Sequence, residues 1–229
     1  MSTYTTPHAP CVETWKNLQK NIIETCKDYH RSVEEVQLIA VSKTVSADRI
    51  LPLLEAGQRL FAENRVQEAT EKWPCLRQRF ENIELHLIGP LQSNKTAEAV
   101  KIFDIIQTVD REKIAKSLAK EMQKQKRFLP CYVQVNIGLE PQKSGIAPQE
   151  VVPFVTQCKN YYGLDITGLM AIPPVQENPG PYFALLAKLA KKAGLPKLSM
   201  GMSNDFKIAL QFGSNVLRIG SALFGQRPI

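Results

Sequence analysis

A lysine stands in this sequence at the point where a buried strand is predicted to end and a helix to begin. Residues 40–50 read AVSKTVSADRI, and an apolar run from Val36 to Val41, broken only by Gln37, precedes Lys43. Burial lowers the pKa of a lysine and makes its amine available as a nucleophile. This stretch alone leaves two interpretations open: the side chain extends to water, or its amine points into a site.

Two segments late in the sequence could bind an anion. Ser203 and Asn204 in GMSND precede a predicted helix, and in RIGSA the hydroxyl of Ser221 follows Gly220, which permits a close approach by a ligand. Backbone N–H groups and hydroxyls at helix starts bind phosphate. Ser203 could equally be a helix N-cap and Gly220 a turn, so the sequence leaves phosphate binding and these structural roles equally open.

An arginine precedes this glycine by two residues. Side chains alternate along a strand, so Arg218 lies on the same face as Gly220 and faces the interior if Gly220 faces the site. An unpaired buried charge is costly, and no carboxylate lies within three residues of Arg218. A ring nitrogen of a bound cofactor could accept a hydrogen bond from Arg218, and so could a distant carboxylate such as that of Glu63. Spacing alone favours the carboxylate.

Short apolar segments alternate with amphipathic ones and must position these residues. Strands are predicted at residues 37–42, 59–62, 84–88, 103–108, 130–137, 164–171, 197–200 and 215–219. Helices are predicted at residues 11–29, 47–56, 66–80, 96–102, 112–126, 148–161, 181–193 and 205–211. We therefore predict one α/β domain over residues 1–229, a (β/α)8 TIM barrel with an N-terminal helical extension over residues 1–36. An open doubly wound sheet is the alternative.

The carboxyl ends of the strands of such a barrel meet at one mouth, where function concentrates. The predicted strand ends bring together Lys43, Glu63, Asn64, Gly89, Pro90, Asn136, Ile172, Met202, Ser203, Gly220 and Ser221. A mouth with a phosphate site and a desolvated lysine can hold a phosphorylated aldehyde as a Schiff base. The sequence lacks a G-x-x-x-x-G-K-[ST] loop, which argues against nucleotide triphosphate hydrolysis.

Composition argues against a membrane or secreted protein. Of 229 residues, 44% are apolar, and no apolar run approaches the roughly 20 residues needed to span a bilayer. Residues 1–17 lack the basic start and apolar core of a signal peptide. Five scattered cysteines fit reduced thiols better than a disulfide framework. We expect a cytoplasmic protein.

The net charge of +7 raises the question of nucleic acid binding. Much of it lies in residues 111–127, where Ile114, Leu118 and Met122 form an apolar stripe and lysines occupy a solvated face. No nucleic-acid motif accompanies it, so no nucleic acid partner is expected. Cys26 and His30 are four residues apart without further ligand-type residues, and we expect no metal site.

Seven motifs resemble one family. AVSKT, FAENRVQEA, HLIGPLQSNK, VNIGLEPQKSGI, GLMAIPP, LSMGMSNDF and VLRIGSALFG are similar, in the same order, to motifs of the YggS/PROSC family of pyridoxal 5'-phosphate (PLP) binding proteins. The resemblance covers residues 38–226 and extends to the N-terminal barrel of alanine racemase, the fold-type III PLP group. Seven motifs in register make chance agreement improbable.

The resemblance implies a role for six residues. Lys43 matches the lysine that forms the internal aldimine with PLP, and Asn64 matches a residue beside the phenolic oxygen of the cofactor. The phosphate-binding residues correspond to Ser203, Gly220 and Ser221, and the arginine facing the pyridine nitrogen to Arg218.

Three departures from the family pattern are present. Ala62 replaces a common glycine, Ser221 a common threonine, and Asn204 a frequent aspartate. None removes one of the implied cofactor contacts, so we expect the site to be intact.

The family implies a protein that binds and stores or transfers PLP, with apo-PLP enzymes as possible acceptors. Arginine cannot give a proton to the pyridine nitrogen. An unprotonated pyridine ring is a weaker electron sink. A two-base racemase also needs a group opposite the lysine. Alanine racemase takes it from a C-terminal domain, which we expect to be absent here, and no tyrosine of this chain is expected at the mouth. We therefore expect no robust turnover, and a monomer.

Two other functions stay open. One is a weakly active PLP-dependent racemase or lyase. The other, a phosphosugar aldolase, is the least supported, because Lys43 follows the first strand and aldolases of this fold carry their lysine on a late strand. A further hypothesis concerns Lys143 in PQKSG, which could be a transient second anchor for PLP, although a solvated loop lysine is favoured.

Overall fold

Eight parallel strands pair in the order of the sequence and close into a barrel in the computed structural model, which describes residues 10–225. The strands are β1 Gln37–Val41, β2 Leu60–Glu63, β3 Glu84–Leu87, β4 Ile105–Val109, β5 Cys131–Val135, β6 Ile166–Ala171, β7 Lys197–Ser199 and β8 Val216–Ile219. β1 also pairs with β8, with Leu38 opposite Leu217 and Ala40 opposite Ile219. This pairing confirms the TIM barrel and excludes the open sheet.

Helices surround the barrel. They are α1 Pro10–Asp28, α2 Ala47–Glu55, α3 Val66–Arg79, α4 Thr96–Ile102, α5 Glu112–Gln125, α6 Val151–Asn160, α7 Gly180–Lys192, α8 Phe206–Gln211 and α9 Ser221–Phe224. Short 3₁₀ helices lie at Val33–Glu35, Ser93–Lys95 and Pro148–Glu150. None of the helices within residues 10–225 is both long and apolar enough to cross a membrane.

The predicted N-terminal helix, α1, packs outside the barrel against α2, α8 and α9. Its buried face carries Trp15, whose indole N–H donates to Gln58 Oε1 over 2.9 Å. The amide of Gln58 donates in turn to the carbonyls of Leu38 and Leu60. The helix is thereby bonded to the first two strands. The part of the predicted extension that falls on residues 1–9 lies outside the described residues.

Alternation along each strand divides the core into two layers. Ile39 and Val41 of β1 point into the barrel with Tyr132, while Ala40 packs in the layer between the strands and the helices. On β8, Val216 belongs to the interior cluster and Leu217 to the outer layer, which places Arg218 inside, as predicted. The stripe of Ile114, Leu118 and Met122 on α5 is buried in the outer layer, as predicted.

Several element boundaries differ from the prediction by one or two residues, and for two of them the structure gives a reason. β4 begins two residues later than predicted, because the Phe103 N–H bonds the Ala99 carbonyl and ends α4 there. The helix predicted from residue 148 starts as a 3₁₀ turn at Pro148 before α6. A short helix missed in the sequence, α9, follows β8 directly and contains Ser221.

Candidate functional site

A cavity of about 700 Å³ opens at the carboxyl ends of the strands. All six residues to which the resemblance assigns a role line it, and they are Lys43, Asn64, Ser203, Arg218, Gly220 and Ser221. Other predicted strand ends that line it are Gly89, Pro90, Asn136, Ile172 and Met202. The structure therefore brings the predicted mouth residues together, with one exception, Glu63.

Lys43 is carried on a tight turn after β1. The Val45 N–H bonds the Ser42 carbonyl over 3.1 Å, and Thr44 takes a left-handed backbone with φ of 62°. This region is sterically unfavourable for a β-branched residue. Surrounding contacts must therefore hold the turn in place.

Two side chains of α3 hold this turn. Lys72 Nζ donates to the carbonyls of Ser42 and Val45, each over 2.9 Å. The Thr44 N–H donates to Glu68 Oε1 over 2.7 Å. The carbonyls on both sides of Lys43 and the amide that follows it are thus fixed by one helix, and α3 determines where the lysine leaves the backbone.

Glu63 points away from the mouth, into the layer between β2 and α3. Its side chain is fully buried, lies 2.8 Å from Lys72 Nζ, and accepts hydrogen bonds from Ser42 and Trp73. Burial raises the pKa of Glu63, and the nearby Lys72 opposes that shift. The proposed pairing of Glu63 with Arg218 is therefore wrong: adjacent residues of a strand face opposite sides, and Asn64, not Glu63, reaches the cavity.

Arg218 rises from the barrel interior to the floor of the cavity and is only 3% exposed. It donates through Nη1 to Ser199 Oγ over 2.6 Å and through Nη2 to the Ala171 carbonyl over 2.9 Å. Burial lowers the pKa of Arg218 to about 10, and the nearby carboxylate of Asp205 opposes this shift. The guanidinium therefore stays charged at neutral pH, with neutral oxygens as its hydrogen-bond acceptors.

The loops after β7 and β8 meet through two serines. Ser221 Oγ donates to Ser203 Oγ over 3.0 Å, and the Ala222 N–H donates to the same oxygen over 3.2 Å. Ser203 and Ser221 are therefore adjacent, as the prediction of a shared anion site requires. Gly220 fits closely, because an added Cβ there would lie 3.3 Å from Val41 Cβ.

Among residues 10–225, charged side chains of both signs line the cavity, with cations in the majority. The cations are Lys43, Arg49, Lys143 and Arg218, and the carboxylates are Asp205 and Glu177. Asp205 Oδ1 accepts from the Met202 N–H over 2.6 Å, and burial raises the pKa of Asp205. The excess of positive charge favours an anionic ligand.

Three of these charged residues were not identified from the sequence. Arg49 comes from α2, and its guanidinium donates to the Phe224 carbonyl, a contact that no local pattern indicates. Asp205 follows the GMSN segment and accepts a hydrogen bond from the Met202 N–H. Aspartate is typical of turns, and it could have indicated this one from the sequence. Glu177 stands in the loop before α7.

Lys143 lies at the rim of the cavity but is not simply solvated. Its Nζ donates to the Pro173 carbonyl over 3.0 Å and pairs with Glu140. Asn136 organises this loop: its Nδ2 donates to the Glu140 and Lys143 carbonyls, and its Oδ1 accepts from the Glu140 N–H. The role of Lys143 as a second anchor stays a prediction.

The tyrosines that the sequence placed away from the mouth do not line the cavity within residues 10–225. Tyr132 is buried in the barrel interior and Tyr161 is exposed. Tyr182 comes nearest, because its hydroxyl donates to Glu177 at the rim. This hydrogen bond to a carboxylate raises the pKa of Tyr182 and keeps its proton in place.

Comparison with known proteins gives the same fold and a family. A model of the alanine racemase N-terminal domain matches residues 16–228. An alanine racemase from Corynebacterium glutamicum superposes with a TM-score of 0.66 at 17% identity, over 95% of this chain and 62% of that one, a likeness of fold alone.

Two relatives are more similar. The pyridoxal phosphate homeostasis protein of Haemophilus influenzae is 39% identical over 220 residues, which cover 92% of this chain and 93% of that protein. PipY of Synechococcus elongatus, in a structure with PLP bound, superposes with a TM-score of 0.81 at 34% identity, over 94% of this chain and all of that one. The chain therefore belongs to the family of the pyridoxal phosphate homeostasis proteins, which is built on the barrel of the alanine racemase N-terminal domain.

Proposed function

We propose that this protein binds PLP in the cavity at the carboxyl mouth, covalently on Lys43, and that it holds the cofactor for PLP homeostasis without robust turnover. One observation carries the proposal. Lys43, the Ser203–Ser221 pair and Arg218 reach one cavity from β1, β7 and β8. The names of the relatives and the PLP in PipY support it.

The residues present fit PLP. The cofactor is an aldehyde that condenses with an amine, and Lys43 supplies the amine from a turn fixed by α3. The two serine hydroxyls and the start of α9 would bind the phosphate, and Asn64 would lie beside the phenolic oxygen. Arg218 would face the pyridine nitrogen from the floor of the cavity. The excess of cations in the lining suits the negative charge of the phosphate.

Arg218 argues for storage and not for turnover. With a pKa of about 10, its guanidinium can donate a hydrogen bond at neutral pH but does not supply a proton to a ring nitrogen. A ring without that proton is a weak electron sink, which disfavours carbanion chemistry. The protonated hydroxyl of Tyr182, held by Glu177, is also a poor base.

Uptake of PLP by the purified protein tests the proposal. We expect the protein to turn yellow with PLP, and borohydride to bleach it and leave a stable adduct on the peptide that contains Lys43. A protein that takes up no PLP would contradict the proposal. Incubating the loaded protein with single-enantiomer amino acids distinguishes the alternative, a weak racemase or lyase: turnover that is lost in a Lys43→Ala variant would establish an enzyme.

The serine pair is expected to recognise the phosphate and not the ring. In the double variant Ser203→Ala/Ser221→Ala, hydrogen bonds to a charged group are lost, and the Kd for PLP should rise by about tenfold to a hundredfold. The Kd for pyridoxal, which has no phosphate, should not change. Equal weakening of both ligands would contradict the assignment. Ser46→Ala is the matched control, because Ser46 lies outside the cavity and its side chain makes no capping hydrogen bond.

Three predictions accompany this proposal. The protein is expected to be cytoplasmic, to be a monomer, and to pass PLP to apo-PLP enzymes. The free thiols of all five cysteines agree with the expected reduced state. Burial raises the pKa of Cys26, Cys131 and Cys158, which makes these three thiols poor nucleophiles.

A further inference from the structure

A chain of polar side chains runs through the barrel interior below Arg218. From Arg218 it passes to Ser199, whose Oγ lies 2.6 Å from Gln107 Oε1. Gln107 Nε2 lies 2.8 Å from His86 Nδ1, and His86 Nε2 lies 2.8 Å from Glu84 Oε1. Interiors of such barrels are filled mainly by branched aliphatic side chains. A continuous hydrogen-bonded chain there needs a reason.

The chain joins the two mouths of the barrel. His86, Gln107 and Ser199 are completely buried, so each depends on its neighbours in the chain for hydrogen bonds. Glu84 opens β3, at the mouth opposite the cavity, and its side chain is 37% exposed. The chain thus starts at a solvated carboxylate and ends at the guanidinium in the floor of the cavity.

The two ends and the orientation of the Gln107 amide, with Nε2 toward His86 and Oε1 toward Ser199, fix the direction of every hydrogen bond in the chain. Arginine can only donate, and an ionised carboxylate can only accept. The His86 hydrogen bond is the main cause of the lowered pKa of Glu84, which keeps this carboxylate ionised. His86 must then carry its proton on Nε2 and accept at Nδ1 from the Gln107 amide. Gln107 Oε1 accepts from the Ser199 hydroxyl, which leaves a lone pair of Ser199 for Arg218.

This order restricts the position of Arg218. A serine hydroxyl can rotate, and the one in Ser199 presents a lone pair to Arg218 because Gln107 takes its proton. Together with the Ala171 carbonyl, this lone pair holds two nitrogens of the guanidinium and so sets the plane of the group. Loss of any link frees the hydroxyl to turn toward the arginine.

We propose that Ser199, Gln107 and His86 are positioning residues for Arg218, and that Glu84 at the opposite mouth sets the donor direction of the whole chain. The proposal rests on the proposed function, in which Arg218 donates to the pyridine nitrogen of PLP. The chain then determines the orientation of the guanidinium toward the pyridine ring, although Ser199, Gln107, His86 and Glu84 do not line the cavity.

The ring nitrogen itself gives the readout. We expect Ser199→Ala and Gln107→Leu to move the ¹⁵N chemical shift of the ring nitrogen of bound ¹⁵N-labelled PLP, and to raise the Kd for PLP by about tenfold. Thr108→Val is the matched control. Thr108 is buried next to Gln107 on β4, and its hydroxyl makes no hydrogen bond within residues 10–225. The control should leave both quantities unchanged.

A second measurement needs no cofactor. In the protein without PLP, ¹⁵N NMR should show His86 protonated on Nε2 alone, and Glu84→Gln should alter the His86 nitrogen shifts. An unchanged ring-nitrogen shift in folded Ser199→Ala protein would overturn the proposal, and so would a proton on Nδ1 of His86. If the wild-type protein binds no PLP, the proposed function fails, while the His86 measurement still tests the chain.

Discussion

Replacing Lys43 with alanine is expected to abolish the covalent attachment of PLP. The variant should give no borohydride-stable adduct, because the amine that condenses with the aldehyde is gone. It should fold normally, since the contacts that hold its turn go from Lys72 and Glu68 to backbone atoms of Ser42, Val45 and Thr44. The measurement is the mass of the reduced protein, with the thermal unfolding midpoint as the check on folding.

Lys143→Ala is the matched control for this experiment, because Lys143 lines the same cavity. It should keep the adduct on Lys43. If Lys143 is a transient anchor, the control should also slow the transfer of PLP to an apo-enzyme, and an unchanged rate would contradict that role. An adduct of undiminished yield in Lys43→Ala protein would show that Lys43 is not the attachment residue.

The order of the predicted strands was enough to predict that most of the site residues lie together. Lys43, Asn64, Ser203 and Gly220 are far apart in sequence, yet each follows a predicted strand, and parallel strands of a barrel have their carboxyl ends at one mouth. Alternation then placed Arg218 inside the barrel. These steps need only the order and period of the apolar segments, which hydrophobic burial determines strongly. The chemical roles came from the family resemblance and not from the spacing.

Glu63 shows where this reasoning fails. Glu63 and Asn64 both stand at the end of β2, and a shift of one residue in the estimated strand end exchanges their faces. In the structure the side chain of Asn64 lines the cavity, and that of Glu63 lies in the layer between β2 and α3. There the ammonium group of Lys72 compensates the buried charge of Glu63. A partner such as Lys72, on the face of the following helix, cannot be identified from the strand pattern alone.

The interior chain was not predictable for a related reason. His86, Gln107 and Ser199 lie on three different strands, each next to an apolar residue, and each alone could be a tolerated polar residue. Whether they form one hydrogen-bonded chain depends on how the closed barrel brings its strands together. It places Ser199 of β7 within hydrogen-bonding distance of Gln107 of β4. That distance is a property of the closed barrel and of no local pattern.

Gly89→Ala is expected to have the largest effect on the structure of the site. Gly89 follows β3 and packs directly on the backbone of Asn64: an added Cβ would overlap the Asn64 carbonyl oxygen and lie 2.7 Å from its Cα. Backbone atoms cannot move aside as the end of a long side chain can. The free energy of unfolding should fall by about 3 kcal/mol and the melting temperature by roughly 6 to 12 °C.

The same substitution should weaken PLP binding, because the displaced Asn64 is the residue proposed to lie beside the phenolic oxygen. Gly163→Ala separates this effect from the general cost of losing a glycine. Gly163 has a φ of 65°, and no atom of residues 10–225 lies within 4 Å of an added Cβ, so its cost should be about 1 to 2 kcal/mol of backbone strain. PLP uptake should be unchanged in that control. If Gly89→Ala protein binds PLP with wild-type affinity at a temperature where it is folded, the close packing of Gly89 on Asn64 is not what positions that side chain.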